Sequence, residues 1–148
     1  MALHPDIIAL FPNSVQSPFI ETSPSTRGID RISYNCIAWA YEDSTAWYWP
    51  HPNRYWPKNI PMTETLEAFQ LLFEDIGYEV CTDDSSEEGF QKIAIFAKAG
   101  KPTHASRQMS DGMWTSKLGD EHDVSHTLQS MADGFYGNVA ILMRKRNE

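Results

Sequence analysis

The run from Phe90 to Gly119 constrains this chain more than any other part of it. Three strand-like stretches, FQKIAIFAK, PTHASRQM and MWTSKLG, follow one another with only Ala99-Gly100-Lys101 and Ser110-Asp111-Gly112 as tight turns between them. Turns this short join antiparallel neighbours, because a parallel pair needs a long crossover. An antiparallel meander is therefore expected, and its hairpin registers decide which side chains share a face.

Helical patterning lies mostly ahead of the meander. From Thr63 to Ile76 the apolar residues Leu66, Phe69, Leu72, Phe73 and Ile76 recur at helical spacing, behind a Thr63 cap and an acidic first turn, and Gly77 closes the run. A short helix is expected at or just before Cys36, in CIAWAYE, with Ser33 or Asn35 as its cap. Between these two, AWYWPHPNRYWP carries Pro50, Pro52 and Pro57, which forbid a long helix and leave an aromatic loop. Tyr78 to Cys81 reads as a short strand before the acidic loop DDSSEEG. Asp123 to Ala132, with Val124, Leu128 and Met131 apolar, reads as a further helix, and NVAILMRK as the closing strand. Residues 1–30, rich in Pro and Ser and carrying Gly28, suit an extended arm docked through Ile7, Ile8, Leu10 and Phe11. The pattern is that of an α+β protein, a single domain over residues 1–148, with helices packed on a small antiparallel sheet.

The chain has the length of one domain, and its 41% hydrophobic and 22% charged residues suit a packed core rather than disorder. A net charge of -8 repels phosphate backbones, so nucleic acid is not an expected partner. No stretch approaches the roughly 18 apolar residues of a membrane span. The start MALHPDIIALFPNS lacks the basic opening and long apolar run of a secretory signal. Cys36 and Cys81 are accordingly read as reduced thiols of a cytoplasmic protein, with no cofactor expected.

Chemistry concentrates on Cys36. A thiol at a helix start lies in the positive end of the peptide dipoles, which favours thiolate and lowers its pKa. A cysteine nucleophile also needs a base, and His104 opens the second meander strand, from which its ring can face a packed helix.

Asn35-Cys36, followed by apolar and aromatic positions, resembles the [DN]-C helix start of NlpC-type and CHAP-type papain-like amidases. The resemblance extends along H-x-x-x-x-x-x-D-G-x-x-x-S, from His104 to Ser116. In that family a third residue twelve positions after the histidine, on the next strand, orients the imidazole; Ser116 stands at the matching position. With Ser110-Asp111-Gly112 as a three-residue loop and Gly112 left-handed, Ser106 opposes Ser116, which then shares a face with His104 and Gln108. A loop of Asp111-Gly112 alone would give that face to Thr115 and Lys117. Serine departs from the family's usual His, Asn or acid, since a hydroxyl orients more weakly and adds no charge. Asp120, Glu121 and Asp123 stand close enough in sequence to supply one. The chain is also similar to a group of small bacterial proteins of unassigned function that carry NCIAWA, a PTHA-type strand and a W-x-SKLG strand.

The papain-like resemblance implies a cysteine hydrolase that cleaves an amide bond of a peptide, peptidoglycan or protein, with Cys36, His104 and Ser116 as catalytic residues. Asn35, Gln108, Trp39 and Trp114 fall to the substrate side. Side-chain deamidation is the alternative reaction, since Cys/His/Gln sets occur in deamidases. A non-catalytic binding module on the same scaffold is the alternative of another class, because fold does not fix function. His122-Asp123-Val124-Ser125-His126 imitates the zinc motif H-E-x-x-H. Asp in place of Glu shortens the reach of the base, and Gly119-Asp120 suggests a loop where helical spacing fails, so no metal is expected.

Overall fold

The strand Phe90–Lys98 (β3) is the axis of the fold. Its residues Ile93 to Phe96 are buried on both faces, which a strand achieves only when it has neighbours on either side and a core above and below. The computed structural model describes residues 10–15, 19–23, 34–43, 46–117 and 123–147. Around β3 stand β1 (Phe19–Ser23), β2 (Glu79–Cys81), β4 (Lys101–Gln108), β5 (Trp114–Lys117), β6 (Asp123–His126) and β7 (Asn138–Arg146). They form one sheet in the order β1-β6-β5-β4-β3-β7-β2, antiparallel throughout. With helices α1 (Cys36–Tyr41), α2 (Leu66–Glu74) and α3 (Leu128–Met131), the protein is α+β.

The sheet divides the core. On one face Ile93, Ile95, Ala105 and Met143 meet α1 and α2, with Tyr48 and Trp56 of the aromatic loop closing the cluster. On the other, Ala94, Phe96, Trp114 and Val124 meet Phe11 and Met131. Phe69, Leu72 and Phe73 of α2 are fully buried, and each is worth about 1.5–3 kcal/mol of transfer free energy.

Several elements differ from expectation for identifiable reasons. Thr65, not Thr63, caps α2: its side chain accepts from the Ala68 N–H, while Thr63 Oγ1 bonds to Thr65 Oγ1 at 3.0 Å. The expected helix over Asp123 to Ala132 is instead β6 followed by α3. Val124 and His126 are buried and Ser125 is only half-buried, a period of two, and β6 pairs with β5 on one side and β1 on the other. Helix begins only after Thr127, whose side chain accepts from the Ser130 N–H. Within the expected arm, Pro12–Val15 is a 3-10 turn and Phe19–Ser23 is an edge strand. Phe11 is buried and Leu10 exposed; Ile7, Ile8, Ser33, Asp120, Glu121 and His122 lie outside the described residues.

Two irregularities in β4 decide where its side chains point. The hairpin to β5 has the three-residue loop: Met109 N–H donates to Met113 O at 2.8 Å, Gly112 N–H donates to Met109 O at 2.9 Å, and Gly112 takes φ +88. Arg107 therefore pairs with Thr115 and Gln108 with Trp114, which sets Ser106 opposite Ser116. The ladder between β4 and β5 stops after these two rungs. At the other end, Phe96 pairs with His104 but Ala97 with Pro102, so Thr103 is an extra residue in β4 and the strand bulges just before the histidine.

Candidate functional site

Strand alternation brings His104, Ser106, Ser116 and His126 to one sheet face, where all four side chains are fully buried. Ser116 is the hub. Its Oγ lies 2.8 Å from His104 Nε2, 2.7 Å from Ser106 Oγ and 2.7 Å from His126 Nε2. The far nitrogen of His126, Nδ1, meets the Thr127 carbonyl at 2.8 Å. His104 stacks flat on Tyr136, with ring centroids 3.9 Å apart, and Thr103 Oγ1 donates to the Tyr136 carbonyl, so the bulge and the stacking ring hold the imidazole between them. Its remaining nitrogen, Nδ1, is buried with no hydrogen-bond partner.

Burial dominates the electrostatics. It drives His104 well below the ordinary histidine range, with His126 adding to the effect, and it lowers His126 to about 4. Both rings are neutral at physiological pH.

Cys36 occupies the first position of α1. Asn35 caps that helix by accepting from the Ala38 N–H at 3.1 Å. The helix lies on the opposite sheet face from His104: Trp39 Nε1 donates to Thr115 Oγ1 at 3.0 Å, and Arg107 stacks on the Trp39 ring at 3.9 Å. The sulfur nevertheless reaches the sheet where β4 and β5 part. Ala105 N–H shares the in-plane direction of Arg107, toward β5, and with no third rung to accept it this N–H faces Cys36 Sγ. Tyr136, raised chiefly by burial, is raised further by the charge a Cys36 thiolate would carry. The helix start does not lower the thiol's pKa as expected: desolvation pushes it up to about 11, outweighing the backbone N–H groups of Ala105, Ile37 and Cys36 and the nearby Lys117. A six-residue helix supplies too small a dipole to reverse that.

The residues assigned to substrate are occupied with the scaffold. Asn35 Nδ2 donates to Tyr48 O at 2.6 Å, and its Oδ1 accepts from Tyr48 N–H at 3.1 Å, tying α1 to the aromatic loop. Gln108 Nε2 donates to Asp84 O at 2.9 Å and Gly112 O at 3.3 Å, pinning the acidic loop. Trp114 packs in the core under the second face, and Trp39 lies between Thr115 and Arg107. Of the zinc-like pair, His126 is on β6 rather than on a helix and is bonded to Ser116, and His122 lies outside the described residues. Among the described residues no group of three or more His, Cys, Asp or Glu is placed to hold a metal ion.

A family model described as "Domain of unknown function (DUF7689)" matches residues 22–144, most of the chain and the whole stretch from Cys36 to His126. The chain belongs to the DUF7689 family. No curated protein and no solved structure matches it. In this DUF7689 domain no helix among the described residues is long and apolar enough to cross a membrane. Two surface cavities, about 370 Å³ beside Glu87, Phe90 and Gln108 and about 510 Å³ beside Trp49, His51 and Arg54, both miss Cys36 and His104. His126 is the member of the buried cluster that spacing alone did not bring forward. The period of two in Val124-Ser125-His126 was its signal, masked by the helical spacing of Val124, Leu128 and Met131.

Proposed function

We propose that this DUF7689 domain is a papain-like cysteine hydrolase that cleaves an amide bond, with Cys36 as nucleophile, His104 as base and Ser116 as the residue that orients the ring. The observation that carries the reading is the state of His104. Its Nε2 is engaged by Ser116, its Nδ1 has no hydrogen-bond partner, and the next residue along the strand turns its N–H to the Cys36 sulfur. Buried polar atoms are almost always paired, and leaving one bare costs about 1–3 kcal/mol. A bare ring nitrogen is what a base waiting for a proton requires.

At rest the pair is a neutral thiol and a neutral imidazole rather than an ion pair. The route is therefore general-base catalysis. The Cys36 proton passes to His104 Nδ1 as sulfur bonds to the substrate carbonyl carbon, and the imidazolium returns that proton to the leaving nitrogen as the C–N bond breaks. Water then cleaves the thioester; His104 takes a proton from the water and restores it to sulfur. The Cys36 backbone N–H supplies a donor to the oxyanion. Peptide, peptidoglycan or protein amides are the substrate class, and a side-chain amide is the second choice. A non-catalytic binding module on the same scaffold is the second reading, favoured by a thiol pushed up to about 11 and a buried base.

Thiol alkylation tests the reading. In a Cys81→Ser background at pH 7, intact mass after iodoacetamide treatment should show Cys36 modified roughly a hundredfold faster or more when His104 is present than in the His104→Ala variant, the lower end of what a general base contributes. Equal rates in two folded proteins would sink the hydrolase and favour the binding module.

A further inference from the structure

We infer that His126 is a positioning residue: through the Ser116 hydroxyl it holds His104 as the Nε2–H tautomer and keeps Nδ1 a bare acceptor. Counting protons along the buried chain leads to this assignment. Thr127 offers His126 a carbonyl at 2.8 Å, and a carbonyl only accepts, so His126 Nδ1 carries the hydrogen. A neutral imidazole has one N–H, which leaves His126 Nε2 as an acceptor 2.7 Å from Ser116 Oγ.

Ser116 has one proton, and it goes to that nitrogen; the Met131 sulfur, 3.8 Å away, is the weaker acceptor. Having donated, Ser116 Oγ has only lone pairs left for its other two neighbours. Ser106 Oγ at 2.7 Å and His104 Nε2 at 2.8 Å must therefore both donate to it. His104 then carries its single hydrogen on Nε2, and Nδ1 is bare. A backbone carbonyl at the end of β6 thus fixes the tautomer of a ring two strands away in the sheet. The use of that bare nitrogen rests on the hydrolase reading; the tautomer itself does not. Serine, weak as a partner by itself, suits this role because a hydroxyl donates on one side and accepts on the other, relaying the polarity that His126 imposes.

The test is a long-range 1H–15N spectrum of the 15N-histidine-labelled full chain at pH 7.5 without substrate. His104 should show a protonated Nε2 and a bare Nδ1, and His126 the reverse. A protonated Nδ1 on His104, or a ring averaging equally between tautomers, would overturn the inference without any variant. In His126→Phe the Ser116 hydroxyl is released, and the ratio of Nε2–H to Nδ1–H at His104 should fall by about tenfold, the bias that roughly one hydrogen bond supplies. Ser106→Ala, which takes a donor from the same oxygen, should leave the ratio unchanged; an equal fall in both variants would also overturn it. Tautomers that match this pattern while alkylation of Cys36 proves independent of His104 would uphold the relay and reject the hydrolase.

Discussion

Replacing Ser116 with alanine removes a single oxygen and should cost far more than most serine substitutions. That oxygen is fully buried and touches His104 Nε2, Ser106 Oγ and His126 Nε2 at 2.7–2.8 Å. The loss is asymmetric, since a made hydrogen bond nets about 0.5–1.5 kcal/mol whereas a buried group left unpaired costs about 1–3 kcal/mol. Ser106 can turn its hydroxyl toward one imidazole. One imidazole then remains unpaired, and with one further hydrogen bond lost the total is about 1.5–4.5 kcal/mol. Against a typical stability of about 5–15 kcal/mol this is a large fraction. At about 2–4 °C per kcal/mol for a chain of this size, Tm should fall by roughly 3–18 °C. Urea unfolding followed by tryptophan fluorescence and far-UV circular dichroism measures it, with an unchanged m-value showing that the unfolded reference is the same. Ser106→Ala, which breaks one contact of the cluster, should lose clearly less. A Ser116→Ala loss under about 1 kcal/mol, or one equal to that of Ser106→Ala, would mean that the hub does not hold the cluster together.

Acid should destabilise the fold well above the carboxylate range. The unfolded chain binds protons on His104 and His126 near about pH 6.5, and the folded chain refuses them, so stability falls as pH drops below that point, by up to about 1.4 kcal/mol per unit for each ring. For His126 the loss continues to about pH 4. Urea midpoints between pH 7.5 and 5 check the sign, and a flat or rising profile toward acid would contradict it. Asn35→Ala removes the cap of α1, worth about 1 kcal/mol, and also strips buried Tyr48 of partners for its N–H and C=O, so a total of roughly 2–5 kcal/mol should appear in the same assay. Gly137→Ala would drive a Cβ into the Ala97 carbonyl oxygen at a φ of +82, and should cost about 2 kcal/mol or more, with amide exchange rising first along β7. Normal exchange there would show that the backbone has room to shift.

Sequence patterning reached the site through its strands. The turn chemistry of Ser110-Asp111-Gly112 is local and narrowed the register to two, of which the structure takes the one that sets Ser116 beside His104, at 2.8 Å. Local chemistry likewise offered Ser33 or Asn35 as the cap of α1, and Asn35 takes it. The pKa of Cys36 was not, because helix position is a local property while desolvation depends on Ile37, Ala105 and the packed sheet around the sulfur. His126 was misplaced because Val124, Leu128 and Met131 satisfy helical spacing; only the pairing of β6 with two neighbours selects the extended form. Thr63 was expected as the cap of α2 and Thr65 serves instead, because the helix start depends on where Leu66 enters the core, which no local rule specifies.

Surface loops ordinarily accept insertions and deletions, and Ser110 and Asp111 at the tip of the β4–β5 hairpin are exposed. This loop is an exception, because its length is the gauge that aligns Ser116 with His104. Shortening it by one residue would present Thr115 or Lys117 to the buried rings in place of the hydroxyl. Side chains at the tip are open to change while the count of residues is not, so a comparison of DUF7689 chains should find this loop variable in letters and constant in length.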